Sequence, residues 1–305
     1  MTPAAWLWIP VTIGAALAQT LRNAAQRHLT ASLGTLGATL VRFLYGLPFA
    51  ALWYVFVQGA GTASAPAPNP GFAGWVLLGA VCQIAATALL LRVMAERNFT
   101  LGVAYSKSEI VQRAVFGFAV LGDPVSAVTG LAIALGTLGV LMLSPTDPQR
   151  PVRALLVGWT TRPARLGLAS GAGFALAAVS YRGAALALGS IPFLTAAADT
   201  LLAAQLLQTV LLGAWLLLRD AAVVTGVLRA WRVSLFAGFM GAVASVGWFT
   251  AMAIEPAAHV RTLGLIELLF SYMISRRVFQ ERLTRRELAG VALLALALVV
   301  VTLRR

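Results

Sequence analysis

The amino-acid sequence predicts an all-α membrane protein with ten transmembrane helices arranged as two inverted five-helix repeats. Hydrophobic residues make up 60% of the chain and charged residues only 11%, whereas about 25% of the residues in an average soluble protein are charged. The apolar residues form runs of about 20, which is the length that crosses a bilayer as a helix. Two similar motifs, one in each half of the chain, indicate the repeat.

Ten apolar segments define the predicted helices. A lone segment inside a bilayer has to satisfy its own backbone hydrogen bonds, which favours a helix in every case. The segments lie at about 5–21, 33–57, 72–94, 101–121, 126–144, 166–188, 192–218, 232–254, 257–275 and 286–303. The uncharged stretch 59–71, rich in proline and small residues, is typical of a flexible loop.

The basic residues predict how the chain is oriented in the membrane. The net charge of +13 does not indicate a nucleic-acid partner, because most arginines lie in short connections between apolar runs. Of the 23 basic residues, 16 lie in or beside alternate connections, and only Arg304 and Arg305 lie on the opposite side. Since basic residues concentrate on the cytoplasmic side, both termini are expected outside the cytoplasm.

The chain divides into two predicted five-helix repeats, residues 1–145 and 166–305, joined by a basic linker at 146–165. Asp123 follows segment four and Glu281 follows segment nine, and a hydroxyl residue comes three positions after each acid. A repeat of five spans has to reverse its direction in the membrane. Inverted repeats of this kind are common in secondary transporters, whose binding site lies at the midplane.

The same residues resemble a known family. The matching stretches are FTLGVAYSKSEIVQRAVFGFAVLGDPVSAVTGLAIALGTLGVLML (99–143) and VRTLGLIELLFSYMISRRVFQERLTRRELAGVALL (260–294). Together with the two halves of five segments, they are similar to the drug/metabolite transporter superfamily in its ten-helix EamA-like branch. Arg42 resembles the arginine often found in the second helix of that branch. The resemblance implies a ten-helix fold, solute export or exchange, and alternating access. Relatives generally keep both termini in the cytoplasm, whereas the arginines here indicate the reverse, which leaves the direction of transport open.

Segment four carries the most unusual charges. Tyr105, Glu109 and Arg113 recur every four residues and share one helical face, while Lys107 is offset from Glu109 by about 160°. Charges inside a bilayer persist where they face protein, water or a ligand. Either Glu109 and Arg113 neutralise each other as a structural pair, or Glu109 is a proton-coupling or amine-binding group and Lys107 contacts an anion.

Three of the other charges inside predicted spans are candidate site residues. Glu267 is central in segment nine without an obvious local partner and aligns with Glu109 in the repeat. It is therefore a second proton-coupling candidate, with a structural hydrogen bond as the alternative. Arg42 and Asp199 occupy near-equivalent places in the two halves. They are expected either to pair as structural glue or to bind a substrate carboxylate, for which the arginine fork is suited.

The sequence contains no motif for an enzyme or a cofactor. Its single cysteine, Cys82, excludes an internal disulfide and a cysteine metal cluster. Phosphate-binding loops, zinc-ligand spacings and serine nucleophile motifs are absent from the sequence. No catalytic residue, metal or cofactor is therefore predicted.

The resulting prediction is a secondary active transporter of the inner membrane for a small polar metabolite, amino-acid-like or carboxylate-bearing. Its predicted partners are that substrate, the lipid bilayer and protons, and the sequence leaves a monomer and a homodimer open. The substrate-binding candidates are Arg42, Tyr105, Lys107, Glu109, Arg113, Asp199 and Glu267. Two alternatives remain: efflux of amphipathic drugs or lipid-linked sugars on the same fold, and a non-transporting membrane scaffold or accessory subunit.

Overall fold

The structure is a computed structural model. It describes residues 6–60, 69–109, 112, 127–143, 160–189, 191–254, 260 and 263–302. Arg113 and most of the predicted basic linker, residues 146–159, lie outside this part of the chain. Within the described residues, regular structure is helical throughout and no strand occurs, so the predicted all-α class is confirmed.

The described helices follow one another along the chain with short breaks. They are α1 (Trp8–Leu44), α2 (Leu47–Ala60), α3 (Pro70–Glu96), α4 (Phe99–Lys107), α5 (Ala127–Leu143), α6 (Arg162–Ala187), α7 (Phe193–Arg219), α8 (Ala221–Arg229), α9 (Trp231–Ile254), α10 (Ile266–Arg277) and α11 (Arg285–Thr302).

Several of these helices are long and apolar enough to span a membrane. Among the described residues they are Trp8–Gly59, Pro70–Glu96 and Leu194–Arg219, and α8 with the start of α9 would form a fourth span bent by 79°. Many large apolar side chains are exposed on the helices, and Leu218, for example, is 87% exposed. A membrane protein keeps such side chains in contact with lipid, whereas in water they would favour association.

Two predicted loops are helical. Residues 22–32 continue α1, which is interrupted only at Gly34, where φ is 66° and ψ is 176°. The polar side chains in this stretch find partners inside the protein: Gln26 is 1% exposed and its amide donates to the carbonyl of Ala38 at 3.0 Å. The predicted connection after segment seven contains α8, whose N-terminal amide at Ala222 is capped by Asp220.

The chain forms two compact units, and each unit combines segments from both halves of the sequence. The first unit contains residues 1–20, 92–172 and 243–305, and the second contains residues 21–91 and 173–242.

In the first unit, α11 packs against α5 and α4, and α10 packs against α4. Two glycines allow α5 and α11 to approach closely. A Cβ added at Gly139 would lie 2.9 Å from the amide nitrogen of Leu294, and one added at Gly290 would lie 2.9 Å from the carbonyl oxygen of Gly139. Small residues at such a contact let two backbones pack directly, as is common between membrane helices.

The start of α11 carries a reciprocal cap. The hydroxyl of Thr284 accepts the amide of Glu287 at 3.2 Å, while the Glu287 carboxylate accepts the amide of Thr284 at 2.8 Å. This capping box satisfies two amides that no helical carbonyl can reach.

Glu281, the acid of the sequence motif, accepts the amide of Phe99 at 2.8 Å and the hydroxyl of Ser275 at 2.6 Å. Its observed contacts therefore tie the start of α4 to the end of α10.

In the second unit, α7 packs against α2 and α8. An apolar cluster joins α3, α6 and α7 and contains Phe72, Val76, Ala184, Leu188, Ala196 and Ala204. The small alanines let the helices approach, and the larger side chains fill the remaining space. Tyr181 of α6 packs against this cluster.

Candidate functional site

In the first unit, two helix ends bring opposite charges together. Asn98 caps the start of α4 by accepting the amide of Leu101 at 2.8 Å, and the helix ends at Lys107. The other element, α10, begins at Ile266 after a turn at Gly264 and carries Glu267 in its first turn. A cation at a helix C-terminus and an anion at an N-terminus are both stabilised by the helix dipole.

The ammonium of Lys107 and the carboxylate of Glu267 form an ion pair within an apolar bundle. Nζ of Lys107 lies 2.5 Å from Oε2 of Glu267, and the two side chains are 19% and 1% exposed. The partners are 160 positions apart in the sequence. Each charge removes part of the cost of burying the other, which for an unpaired ion amounts to several kcal/mol.

Two further side chains extend this pair into a polar cluster. The amide of Gln19 on α1 donates to Oε2 of Glu267 at 2.7 Å, and its oxygen accepts the indole N–H of Trp248 on α9 at 3.1 Å. Trp248 fits beside the turn that precedes α10, because a Cβ added at Gly264 would lie 2.9 Å from Cζ3 of its ring. We name Lys107, Glu267, Gln19 and Trp248 the ion-pair cluster.

Among the described residues, the ion-pair cluster leaves one oxygen of the Glu267 carboxylate without a hydrogen bond. Both hydrogen bonds to Glu267 from described side chains end on Oε2, and none ends on Oε1. A carboxylate accepts several hydrogen bonds when ionised. Glu267 can therefore accept a donor from a bound molecule, or exchange Lys107 for another cation, without leaving its place at the start of α10.

The other predicted residues of segment four have separate surroundings. Tyr105 is 1% exposed and packs against Gly167 of α6. A Cβ added at Gly167 would lie 2.6 Å from the Cβ of Tyr105. It is thus part of the core of the first unit. Glu109 lies just beyond the end of α4 and is partly buried. The predicted pair of Glu109 with Arg113 lies outside the described residues because Arg113 does.

In the second unit, Arg42 lies in the last turn of α1. One of its guanidinium nitrogens, Nη1, donates to the hydroxyl of Thr87 at 3.2 Å, and its carbon lies 5.9 Å from the centre of the Phe43 ring. Arg42 and Tyr181 are near enough to interact electrostatically, as are Arg42 and Arg22. Among the described residues, no carboxylate forms an ion pair with Arg42.

Asp199 in α7 is also without a counter-charge in the described part of the chain. Its Oδ1 accepts the amide of Gln58 at 3.4 Å, and its Oδ2 is buried without a hydrogen-bond partner. The pair of Arg42 and Asp199 considered from the sequence does not form. The position of Asp199 on α7 gives a geometric reason. The helix passes the Arg42 backbone at Gln205, whose amide donates to the Arg42 carbonyl at 3.1 Å. Asp199 lies six residues before Gln205, which is about 9 Å away along the helix.

Sequence reasoning missed the neutral members of the ion-pair cluster. Gln19 and Trp248 complete the ion-pair cluster, yet Gln19 lies near the end of an apolar segment and Trp248 has the pattern of an apolar wall. In the second unit, Gln208 donates to the hydroxyl of Tyr181 at 2.7 Å. For Gln19 and Gln208 the signal in the sequence is an amide within an apolar run, which also fits an ordinary hydrogen bond between helices.

Comparisons with known proteins place the fold but no function. No protein-family profile matches the chain, and no curated protein matches it. Thirteen chains of known structure match. One of them, known only as a protein crystal structure, aligns with a TM-score of 0.53 at 14% sequence identity, over 97% of this chain and 96% of its own length. At this identity the likeness shows a shared fold alone.

Proposed function

We propose that this protein is a secondary active transporter that moves a small polar organic metabolite across the inner membrane by alternating access. The substrate is amino-acid-like or carries a carboxylate. Both termini lie outside the cytoplasm in this proposal, as the arginine distribution predicts. The resemblance of residues 99–143 and 260–294 to the EamA-like branch of the drug/metabolite transporter superfamily supports it.

The observation that carries the proposal is the ion-pair cluster. Ionisable side chains are rare inside apolar helical proteins and usually mark substrate or proton pathways. Lys107 and Glu267 lie at two helix ends inside segments that the sequence predicts as single spans. Interrupted helices whose ends carry charged groups are typical of the binding sites of secondary transporters.

The chemistry of the ion-pair cluster suits a substrate with an ammonium or a carboxylate. A substrate ammonium replaces Lys107 on Glu267, or a substrate carboxylate draws Lys107 away from Glu267. A proton on Glu267 has the same effect, because it removes the charge that holds Lys107. Each exchange alters the contact between α4 and α10, and this contact is the element that alternates during transport.

The experiment begins with purified full-length protein and a panel of amino acids, organic acids and amphiphiles at two pH values. A ligand of the folded state raises the melting temperature by mass action. Each ligand found this way is then tested for uptake into proteoliposomes, with and without a pH gradient.

We expect Glu267→Gln to abolish uptake and its pH dependence. Glu96→Gln, which removes the acid of the more exposed Arg92–Glu96 pair, is the matched control and should leave uptake intact. Full pH-dependent uptake by Glu267→Gln would refute the proposed role.

A non-transporting scaffold is the second candidate, because the ion-pair cluster also has the closed pairing expected of structural glue. Exchanging the charges, Lys107→Glu together with Glu267→Lys, separates the two functions. A scaffold tolerates the exchange if the pair re-forms, and it takes up no substrate in either form. A transporter loses uptake even when the exchanged protein remains folded, because the substrate then meets each charge at the wrong helix end.

A further inference from the structure

Arg42 lies in the second unit and has no acidic partner among the described residues. It is partly buried near the end of the first helix, in a chain with few charged residues. A cation in such surroundings is expensive unless it is paired or reaches water. Its position in the last turn of α1 favours a positive charge through the helix dipole. That effect is small and does not replace a counter-ion.

The groups around Arg42 supply positive charge or hydrogen-bond donors. Tyr181 lies near Arg42, because Gln205 and Gln208, one turn apart on α7, bind the Arg42 carbonyl and the Tyr181 hydroxyl. Arg22 and Tyr181 are both within electrostatic reach of Arg42. Tyr181 accepts the amide of Gln208 at 2.7 Å, and its own hydroxyl hydrogen has no acceptor among the described residues. A tyrosine hydroxyl can accept and donate at once. The Tyr181 hydroxyl and the Arg42 guanidinium are therefore two donors in one neighbourhood.

The fold holds these donors in place. Gln208 is 2% exposed and directs the Tyr181 hydroxyl. Gly79 of α3 leaves room for the Tyr181 ring, since a Cβ there would lie 2.7 Å from Cδ1 of the ring. The backbone at Arg42 is fixed as well, because the Gln205 amide donates to its carbonyl at 3.1 Å. Preorganised donors around an unpaired arginine are suited to an oxyanion, which the guanidinium fork can bind through two hydrogen bonds.

We propose that Arg42 and Tyr181, with Gln208 orienting the tyrosine, form a binding site for an oxyanion group, either a carboxylate or a phosphate. The identity of its biological ligand, a solute that carries a carboxylate or a phosphate, rests on the proposed function. Oxyanion binding itself is measurable whether or not the protein transports. Binding without transport of any compound would therefore remove the transporter proposal and leave this one intact.

The test measures the binding of acetate, succinate and inorganic phosphate to the full-length protein in detergent, at constant ionic strength, by isothermal titration calorimetry and by the shift in melting temperature. We expect at least one of these ions to bind, and the preferred ion to identify the group as carboxylate or phosphate. Arg42→Gln should abolish binding. Tyr181→Phe removes one hydrogen bond to a charged group and should weaken binding about tenfold.

The matched control is Arg182→Gln, which removes an exposed arginine next to Tyr181 on the same helix. This variant should bind the ion as the unsubstituted protein does. If Arg42→Gln does not fold, Tyr181→Phe decides the question because it keeps the aromatic ring. No binding of any of the three ions, or an equal loss in Arg182→Gln and Tyr181→Phe, would overturn the proposal.

Discussion

Breaking the ion pair between Lys107 and Glu267 should destabilise the protein far more than removing the pair as a whole. At a separation of 2.5 Å and an effective dielectric constant of about 20, Coulomb attraction amounts to about 7 kcal/mol, and desolvation offsets part of it. Removing one partner of a buried pair costs about 3–5 kcal/mol. Because Lys107 is 19% exposed and can turn toward water, we expect about 3 kcal/mol for Glu267→Gln.

The assay is a double-mutant cycle on thermal unfolding. It compares Glu267→Gln, Lys107→Met and the double variant, followed by tryptophan fluorescence. For a chain of this size, about 3 kcal/mol corresponds to a fall of about 5 °C in the melting temperature. The double variant should recover most of that loss, because it leaves no charge buried without a partner. Arg92→Met in the exposed pair with Glu96 is the control, with an expected change below about 1 kcal/mol.

One result would refute this reasoning. If the effects of the two single substitutions simply add in the double variant, the charges do not interact in the folded protein. The short contact between Nζ and Oε2 would then contribute no stability. The dipole argument for the two helix ends would also lose its support, since that argument assumes that both charges are present and close.

Three smaller predictions concern the helices themselves, and each is measured as a shift in melting temperature. Gly139→Leu should destabilise the protein by at least about 1–3 kcal/mol, because the larger side chain meets the backbone of α11 at Gly290; an unchanged melting temperature would mean that α5 and α11 do not pack this closely. Gly34→Ala should cost about 1–3 kcal/mol, since φ is 66° and ψ is 176° there and residues other than glycine rarely adopt that region; a gain in stability would indicate an unbroken helix. Thr284→Ala should cost about 1 kcal/mol by removing the cap that Glu287 shares, and no loss would place the start of α11 elsewhere.

The helices could be predicted from the sequence because hydropathy dominates in a bilayer. The apolar segment at 192–218 corresponds to α7 at Phe193–Arg219, and the segment at 286–303 to α11 at Arg285–Thr302. Polar residues were harder to interpret. Residues 22–32 resemble a loop by composition, but the amide of Gln26 binds the carbonyl of Ala38 beyond the break at Gly34. Because such partners lie on the next stretch of helix, composition within the segment cannot reveal them.

The ion-pair cluster could be predicted only in part, for a related reason. The sequence shows that Lys107 and Glu267 are unusual, because each is an ionisable residue in an apolar segment. Helical periodicity, however, relates only neighbours three or four residues apart. The structure pairs Lys107 with Glu267 across 160 positions and adds Gln19 across 248. Pairings over such distances follow from how the helices pack, which the sequence pattern alone does not specify.

Some internal charges are paired with an opposite charge and others are not, which fits the transport proposal better than a purely structural role. A protein that used these charges only to hold helices together would gain most by pairing each one, since an unpaired ion in an apolar region is costly. Lys107 and Glu267 are paired. Arg42 and Asp199 belong to the same compact unit and carry opposite charges, yet their hydrogen bonds go to Thr87 and Gln58 instead. An arginine and a carboxylate that have no ionic partner among the described residues of one packed unit are open to the charges of a solute, as the transport proposal requires.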